Sequence, residues 1–317
     1  MDTLPGFAMK RILPILILAA AACAFPAAAS AKAPCLPTQG SPKCHFWYGK
    51  ATFIDDGDTI DVDIDGDGTH TPRRVRFTGI NAMELRRYSK YAKRRRGACH
   101  ARAAALRVQR LVAHSHRRVR LAAIHPSSRA GRRLRRQISV RVNGVWTDLG
   151  AIEVSEGLAL WLPSHREWAW NRGYAALAKQ AQAARLNVYN PIACGVGAAR
   201  GIQLGMRLRY DAPHNDSRHV NGEHARIINP TASRIPIGGW WFRDSALRRF
   251  RFPRWAAIRP HRSVIVKMGH GRNHGRVFHW GLGAPPLENP SYDRRWLGDG
   301  GYLFDRHGNI RASVIYP

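Results

Sequence analysis

Thr59-Ile60-Asp61-Val62-Asp63-Ile64 decides the reading of the first half of the chain. Polar and apolar residues alternate there with period two, the mark of a half-buried strand. Asp65-Gly66-Asp67-Gly68 follows as a turn, and residues 74–80 return as the next strand. Asp61, Asp63, Asp65 and Gly66 imitate the start of an EF-hand loop, but Pro72 holds the closing position, where a bidentate Glu is required. The run therefore reads as a hairpin.

Working outward, residues 47–54 form the strand before the hairpin. A helix is expected over 100–113, where Ala101, Ala104, Ala105, Val108, Leu111 and Val112 recur at three-and-four spacing. Two further strands are expected, one at Val119-Arg120-Leu121 and one over 138–142, which ends in the Asn143-Gly144 turn. Helices follow over 149–156 and 168–184. Five strands with a helix inserted after the third fit a partly open OB-fold β-barrel with helices. The composition then turns Gly/Ala-rich near Cys194 to Gly201, as a linker does. Beyond it, short β-like runs alternate with turns over 203–209, 225–229, 249–252, 263–268, 276–280, 302–305 and 309–315. That pattern argues for an all-β sandwich. The expected order is a leader (1–31), an N-terminal disulfide loop (32–46), the barrel domain (47–194), a linker (195–202) and the sandwich (203–317).

The chain has 317 residues and a formal charge of +30, and only eight of its 51 basic residues are Lys. Arg offers a planar fork suited to phosphate oxygens, and so strong a positive field attracts polyanions such as nucleic acid. Met9-Lys10-Arg11, the apolar run 12–25 and Ala29-Ser30-Ala31 read as a secretory signal cut before Lys32. The run is too short for a spanning helix of about 20 residues, so no transmembrane segment is expected in the mature chain. Removal of the leader also removes Cys23 and leaves Cys35, Cys44, Cys99 and Cys194. An even number in an exported chain favours disulfides. Of the three pairings open to four cysteines, Cys35–Cys44 and Cys99–Cys194 are expected. The first closes a Pro/Gly/Ser-rich loop, and the second ties a helix start to a domain end. No CxxC pair exists, which argues against zinc.

Five short motifs carry a resemblance: Asp56-Gly57-Asp58-Thr59, Val75-Arg76-Phe77 through Glu84, Gly131-Arg132, Glu156-Gly157-Leu158-Ala159 and Leu186-Asn187-Val188-Tyr189. With them the first domain resembles the staphylococcal-nuclease (thermonuclease) family over about 47–189. The second domain resembles the lamin-tail domain, an immunoglobulin-like sandwich, through Gly222-Glu223-His224-Ala225-Arg226-Ile227-Ile228-Asn229-Pro230, Gly238-Gly239-Trp240-Trp241-Phe242-Arg243-Asp244 and Phe252-Pro253. Trp240, Trp241 and Phe242 read as core and rim packing, not a base-stacking platform.

The first resemblance implies an exported nuclease, a phosphodiesterase that uses Ca2+ to hydrolyse DNA or RNA with little sequence preference. Asp58 matches a metal-ligating aspartate, Asn81 the place of a second aspartate ligand, and Ala82 a ligand through its carbonyl. Glu84 matches the general base, and Arg76 the first phosphate-binding arginine. The second arginine is open: Arg132 keeps the local motif and is preferred, whereas Arg135 keeps the spacing to Asn143-Gly144. Asn81 in place of an acid removes one negative charge, and ligand charge tunes calcium affinity; Asp56 is the acid that can replace it. Met83 stands where a proline is common, and Ala130 where the family has a tyrosine. The alternative is a catalytically weakened surface protein that only binds nucleic acid or another polyanion. The sandwich is expected to tether or position the enzyme, at the cell surface or outside it, through a partner the sequence does not identify.

Overall fold

The computed structural model describes Met1 and residues 32–85, 99–194, 200–212, 215–291, 293, 295 and 297–316. The expected leader, Met1 apart, and positions 195–199 of the expected linker lie outside these residues. Strands dominate, helices are few, and the strands form several sheets.

The first half runs β1 (Lys32–Pro34), β2 (Lys43–Asp56), β3 (Thr59–Ile64), β4 (Arg73–Phe77), β5 (Ile80–Ala82), α1 (Ala101–His114), β6 (Arg118–Ala123), β7 (Arg129–Ala130), β8 (Arg133–Val142), β9 (Val145–Asp148), α2 (Leu149–Ser155), β10 (Ala159–Trp161) and α3 (Asn171–Ala183). β2 pairs with β3, β3 with β4, β4 with β8, β8 with β6, and β6 again with β2, so five strands close a circuit. Only β4 and β8 run parallel, and a parallel pair needs a long crossover; α1 lies on that crossover. Two register shifts in β2, between Ala51 and Phe53 and between Ile54 and Asp56, supply the bending that closure demands. Ile60, Val62, Val75, Leu121, Ile138 and Val140 fill the interior, each at most 1% exposed. The buried face of α1 is Ala101, Ala104, Val108, Leu111 and Val112, five of the six residues whose spacing indicates the helix.

Two of the acids that imitate an ion loop, Asp61 and Asp65, face arginines instead, and Asp63 lies 3.6 Å from His70. Arg74 Nε donates to Asp61 Oδ1 at 2.8 Å, Arg73 Nε to Asp67 Oδ2 at 3.3 Å, and Arg118 Nη2 to Asp65 Oδ2 at 2.5 Å. Residues 59–77 are a hairpin, as their alternation indicates. Two features depart from expectation. The segment 32–46 is not merely a disulfide-closed loop, because β1 pairs with β2, which begins at Lys43. The strand expected over 74–80 divides at Thr78-Gly79, and its far end becomes β5, which pairs with β10.

The second half holds β11 (Gly205–Arg209), β12 (His224–Ile228), β13 (Ile235–Pro236), β14 (Trp241–Asp244), β15 (Arg249–Arg251), β16 (Ala257–Ile258), β17 (Ser263–Lys267), β18 (Val277–His279), β19 (Gly300–Phe304) and β20 (Ile310–Ile315). One sheet has the order β11-β12-β17-β18 and the other β15-β14-β19-β20, and β13 pairs with β16. Ile227, Val266 and Phe278 of the first sheet share an apolar core with Phe242, Phe250 and Leu303 of the second. β17 and β18 run parallel, a departure from an all-antiparallel sandwich. β14 escapes the alternation rule because Trp241 and Phe242 are consecutive aromatics that face opposite ways. Phe242 is fully buried, whereas Trp241 stacks on Phe304 at 5.5 Å with Arg249 over its ring at 5.0 Å.

The halves are fastened together. Tyr302, Phe304, Ile310 and Ile315 belong to the core of the first half. Arg311, fully buried, pairs with Asp305 and donates to the carbonyls of Pro191 and Cys194 at 2.9 and 3.0 Å. Both expected disulfides are present, Cys35–Cys44 and Cys99–Cys194, with sequence separations of 9 and 95. In the chain-entropy account the longer loop contributes about 4.7 kcal/mol and the shorter about 2.7 kcal/mol. A Cys99→Ser/Cys194→Ser variant is therefore expected to lose more stability in urea unfolding than Cys35→Ser/Cys44→Ser, and the reverse order would contradict this account.

Candidate functional site

The turn Asp56-Gly57-Asp58 between β2 and β3 is built by its own side chains. Asp56 Oδ1 accepts the Asp58 amide at 2.9 Å, an Asx turn. A Cβ on Gly57 would stand 2.5 Å from the Ala104 Cβ and 2.9 Å from the Ala82 Cβ, so only glycine lets α1 and β5 close over the turn. Asp58 is 1% exposed. Its Oδ1 accepts the Thr59 hydroxyl at 3.0 Å and forms an ion pair with Arg76, and its Oδ2 accepts the Ala82 amide at 2.8 Å. Arg76, also buried, donates through Nη2 to the Ile80 carbonyl at 3.2 Å. One carboxylate thus joins β3, β4 and β5. Asn81 is buried beside it and donates from Nδ2 to the Ala82 carbonyl at 2.7 Å.

The two remote motifs meet behind this cluster. Asn187 Nδ2 donates to the Glu156 carbonyl at 2.7 Å, and the Val188 amide to the Gly157 carbonyl at 3.0 Å. Gly157 has φ +67°, and a Cβ there would lie 2.6 Å from the Leu186 carbonyl oxygen, so glycine is required on both counts. The chain that leaves this contact enters β10, whose Leu160 pairs with Asn81. The Glu156–Ala159 and Leu186–Tyr189 motifs therefore hold β5 in place.

Glu84 is partly buried two residues past Ala82. Burial pushes Asp55 up, against the opposing field of Arg74, and Asp56, Asp61 and Glu84 add to the rise, which places Glu84 among these acids. Of the two candidate second arginines, Arg135 stands level with Arg76 in the parallel β4–β8 register, and burial lowers its pKa. Arg132 is exposed and lines a cleft of about 350 Å³ with Trp47, Arg73, Arg74, Arg129 and Arg136. Arg136 lies 4.5 Å from the centre of the Trp47 ring. Arg133, which sequence reasoning passed over, reaches the acidic cluster: its Nη1 donates to Thr59 Oγ1 at 3.2 Å. Its signal was the alternation of β8, which puts residues 133 and 135 on one face.

Sequence reasoning also missed Glu153. It occupies the i+4 position from Leu149 on the buried side of α2, is fully buried, and neither carboxyl oxygen has a hydrogen-bond partner. Burial pushes its acid up to about 9, Glu156 and Asp56 adding and Arg107 opposing. Asp56 and Asp58 are thus two buried carboxyl groups in one turn, Asp58 paired with the buried Arg76, and Glu153 lies close enough to Asp56 to feel its charge. The oxygens of Asp56, Asp58, Asn81 and Ala82 are the donor type calcium takes. The acids are not drawn to one point: among the described residues, the only trio of His, Cys, Asp or Glu with ligand atoms within 4.8 Å is Cys99, His100 and Cys194. Two of those sulfurs form the disulfide, so that trio is not a metal site.

No protein-family model matches the chain, and no curated protein matches it.

Glu153 generates a test of the site's electrostatics. Between its ordinary value of 4.5 and about 9 the folded chain keeps this proton and the unfolded chain does not, so stability falls as pH rises through that window. Glu153→Leu is expected to raise the melting midpoint at pH 8 and to raise it less at pH 5, measured by calorimetry. Equal gains at both pH values would show that the proton is not the cause.

Proposed function

We infer that the chain is an exported nuclease that hydrolyses nucleic-acid phosphodiester bonds with calcium, on an OB-type barrel followed by an immunoglobulin-like lamin-tail module. One observation carries the reading: Asp58, Arg76 and the Asn81–Ala82 strand form a single buried cluster at the edge of a closed five-strand circuit. The closed circuit supports the barrel, and two sheets over one core support the sandwich. The two disulfides, and the lack among the described residues of any helix long and apolar enough to cross a membrane, accord with export.

Asp56, Asp58, the Asn81 side-chain oxygen and the Ala82 carbonyl would hold the ion. Calcium, when bound, would polarise the phosphate and offset charge on its oxygens. Arg76 holds Asp58 in the free protein and has a fork that suits a phosphate equally well. The carboxylate of Glu84 would accept the proton of the attacking water, a contribution of about 10²–10⁴ in rate. The basic cleft with Trp47 fits a single-stranded backbone, which needs cations along its path and an aromatic face for a base.

One observation favours the second reading, a polyanion-binding protein without cleavage. Both Asp58 oxygens are engaged, and Asn81 spends its amide on the Ala82 carbonyl. The readings part on a nuclease assay of the mature chain with single- and double-stranded substrates. Calcium-dependent release of nucleotides, abolished by chelator and reduced about 10²-fold or more in Glu84→Gln, is expected; retention of DNA without cleavage would leave only binding. Asn81→Asp is expected to tighten calcium binding in titration calorimetry, since it restores a charge to the ligand set.

A further inference from the structure

Phe46, Tyr48, Arg120, Arg141 and Trp146 meet on the outer wall of the five-strand circuit, where a solvated sheet face ordinarily carries polar side chains. Alternation explains the placement. On β2, Gly49 pairs with the buried Ile64 and points inward, so its neighbour Tyr48 points outward, level with Arg120 of β6. Arg120 is level with Ser139 of β8, and two residues along the same face Arg141 is level with Trp146 of β9. The side chains meet across these strands. Tyr48 and Trp146 lie 5.9 Å apart between ring centres, and the Arg120 guanidinium stands 5.2 Å from both the Phe46 and the Trp146 rings. The Arg141 guanidinium also stands 5.2 Å from Trp146. The face is open: Tyr48 is 45% exposed and Val145, next to Trp146, 66%.

Rings, not carboxylates, hold these two arginines. Arg74, Arg107 and Arg118 spend their forks on Asp61, Glu156 and Asp65. Arg120 and Arg141 form no ion pair among the described residues, and a ring face attracts a cation without neutralising it. Arg141 gives one donor to the Gly144 carbonyl at 3.1 Å, and Arg120 Nε is buried without an acceptor. The acids nearest this wall are occupied. Asp148 accepts the Tyr174 hydroxyl at 2.8 Å and the Ala151 amide at 3.2 Å, and Asp65 pairs with Arg118 at 2.5 Å. The wall thus carries two fixed positive charges beside an accessible aromatic ring.

Charge selects the occupant. A second copy of the chain would bring guanidiniums against guanidiniums on this face. A duplex offers phosphates, but its bases stack on one another and leave none for Tyr48. A single strand brings both, since an aromatic ring takes a base and guanidiniums take the phosphates beside it. We propose that the outer face formed by Phe46, Tyr48, Arg120, Arg141 and Trp146 binds single-stranded nucleic acid, with a base against Tyr48 and phosphates at Arg120 and Arg141. The Trp47 cleft is a separate surface, because Trp47 is level with the buried Leu121 and Tyr48 with Arg120, on opposite sides of β2. Binding here rests on the nucleic-acid reading above but needs neither calcium nor cleavage.

Fluorescence anisotropy on the mature full chain tests this with a labelled oligothymidylate of about 15 nucleotides, in excess chelator. Tyr48→Ala is expected to weaken binding about fivefold or more. Arg141→Gln is expected to weaken it and to make the plot of log K against log salt less steep by about 0.7, the share of one phosphate. Binding of the matching duplex is expected to change by less than about twofold in Tyr48→Ala. Both side chains are exposed, and melting curves establish that the variants fold. Equal affinity of the unaltered chain and both variants for the oligothymidylate would overturn the proposal. So would an equal loss for single strand and duplex in Tyr48→Ala, or Tyr48-dependent attachment to phosphatidylglycerol vesicles that the oligonucleotide does not displace. Cleavage stands or falls separately. Calcium-dependent cleavage by a chain whose binding neither variant weakens would refute this surface alone, and Tyr48-dependent binding without any cleavage would refute the nuclease alone.

Discussion

The carboxylate of Asp58 is the constraint on which the first half depends. It lies at the start of one strand, pairs with Arg76 of the next, and accepts the amide of Ala82 on a third. Removing one member of such a buried pair leaves the other charged and unsatisfied, at a cost of about 3–5 kcal/mol. The same contacts tie Arg76 to the end of the circuit, where its Nη2 also donates to the Ile80 carbonyl. One buried pair thus fixes both the strand ends and the position of the Arg76 guanidinium.

Much of the fold was legible in the sequence because the signals were local. The alternation of 59–64, the three-and-four spacing of α1 and the turn at Asn143-Gly144 each identify an element without help from distant residues. What escaped was set by tertiary partners. β5 exists only because β10 pairs with it, and β10 is positioned by the Glu156–Asn187 and Gly157–Val188 contacts. β14 hides its period in consecutive aromatics. At the site, the motifs indicate Asp58, Arg76 and Asn81, and the structure gathers them. Glu153 carries no motif and is conspicuous only once an acid is found inside an apolar helix face. Arg133 could not be separated from its neighbours in Arg132-Arg133-Leu134-Arg135-Arg136 until the strand register was known.

The junction of the halves is more than a tether. Arg311 spends its donors on Asp305 and on the carbonyls of Pro191 and Cys194, where the first half ends. The Cys99–Cys194 bridge fastens the same corner to the residues before α1. With Phe304 and Ile310 in the core of the first half, relative movement would tear apolar contacts as well as hydrogen bonds. A rigid seam is also what lets Leu162 from one half and Glu288 from the other define one cleft.

The distribution of charge ties these features together. Among the described residues, eight acidic but only four basic side chains are buried, although the chain has 51 basic residues and 21 acidic ones. The surface is therefore more positive than the formal charge implies, which strengthens attraction to a polyanion at every approach. The interior shows the opposite sign. Asp58, Glu167, Asp244 and Asp305 are satisfied by amides and arginines. Glu153 has no hydrogen-bond partner at all, and Glu223 has one for a single oxygen. A buried carboxyl without a donor is unfavourable unless something outside the chain meets it. These two are the buried acids that the fold leaves least satisfied, and burial holds both toward their neutral form.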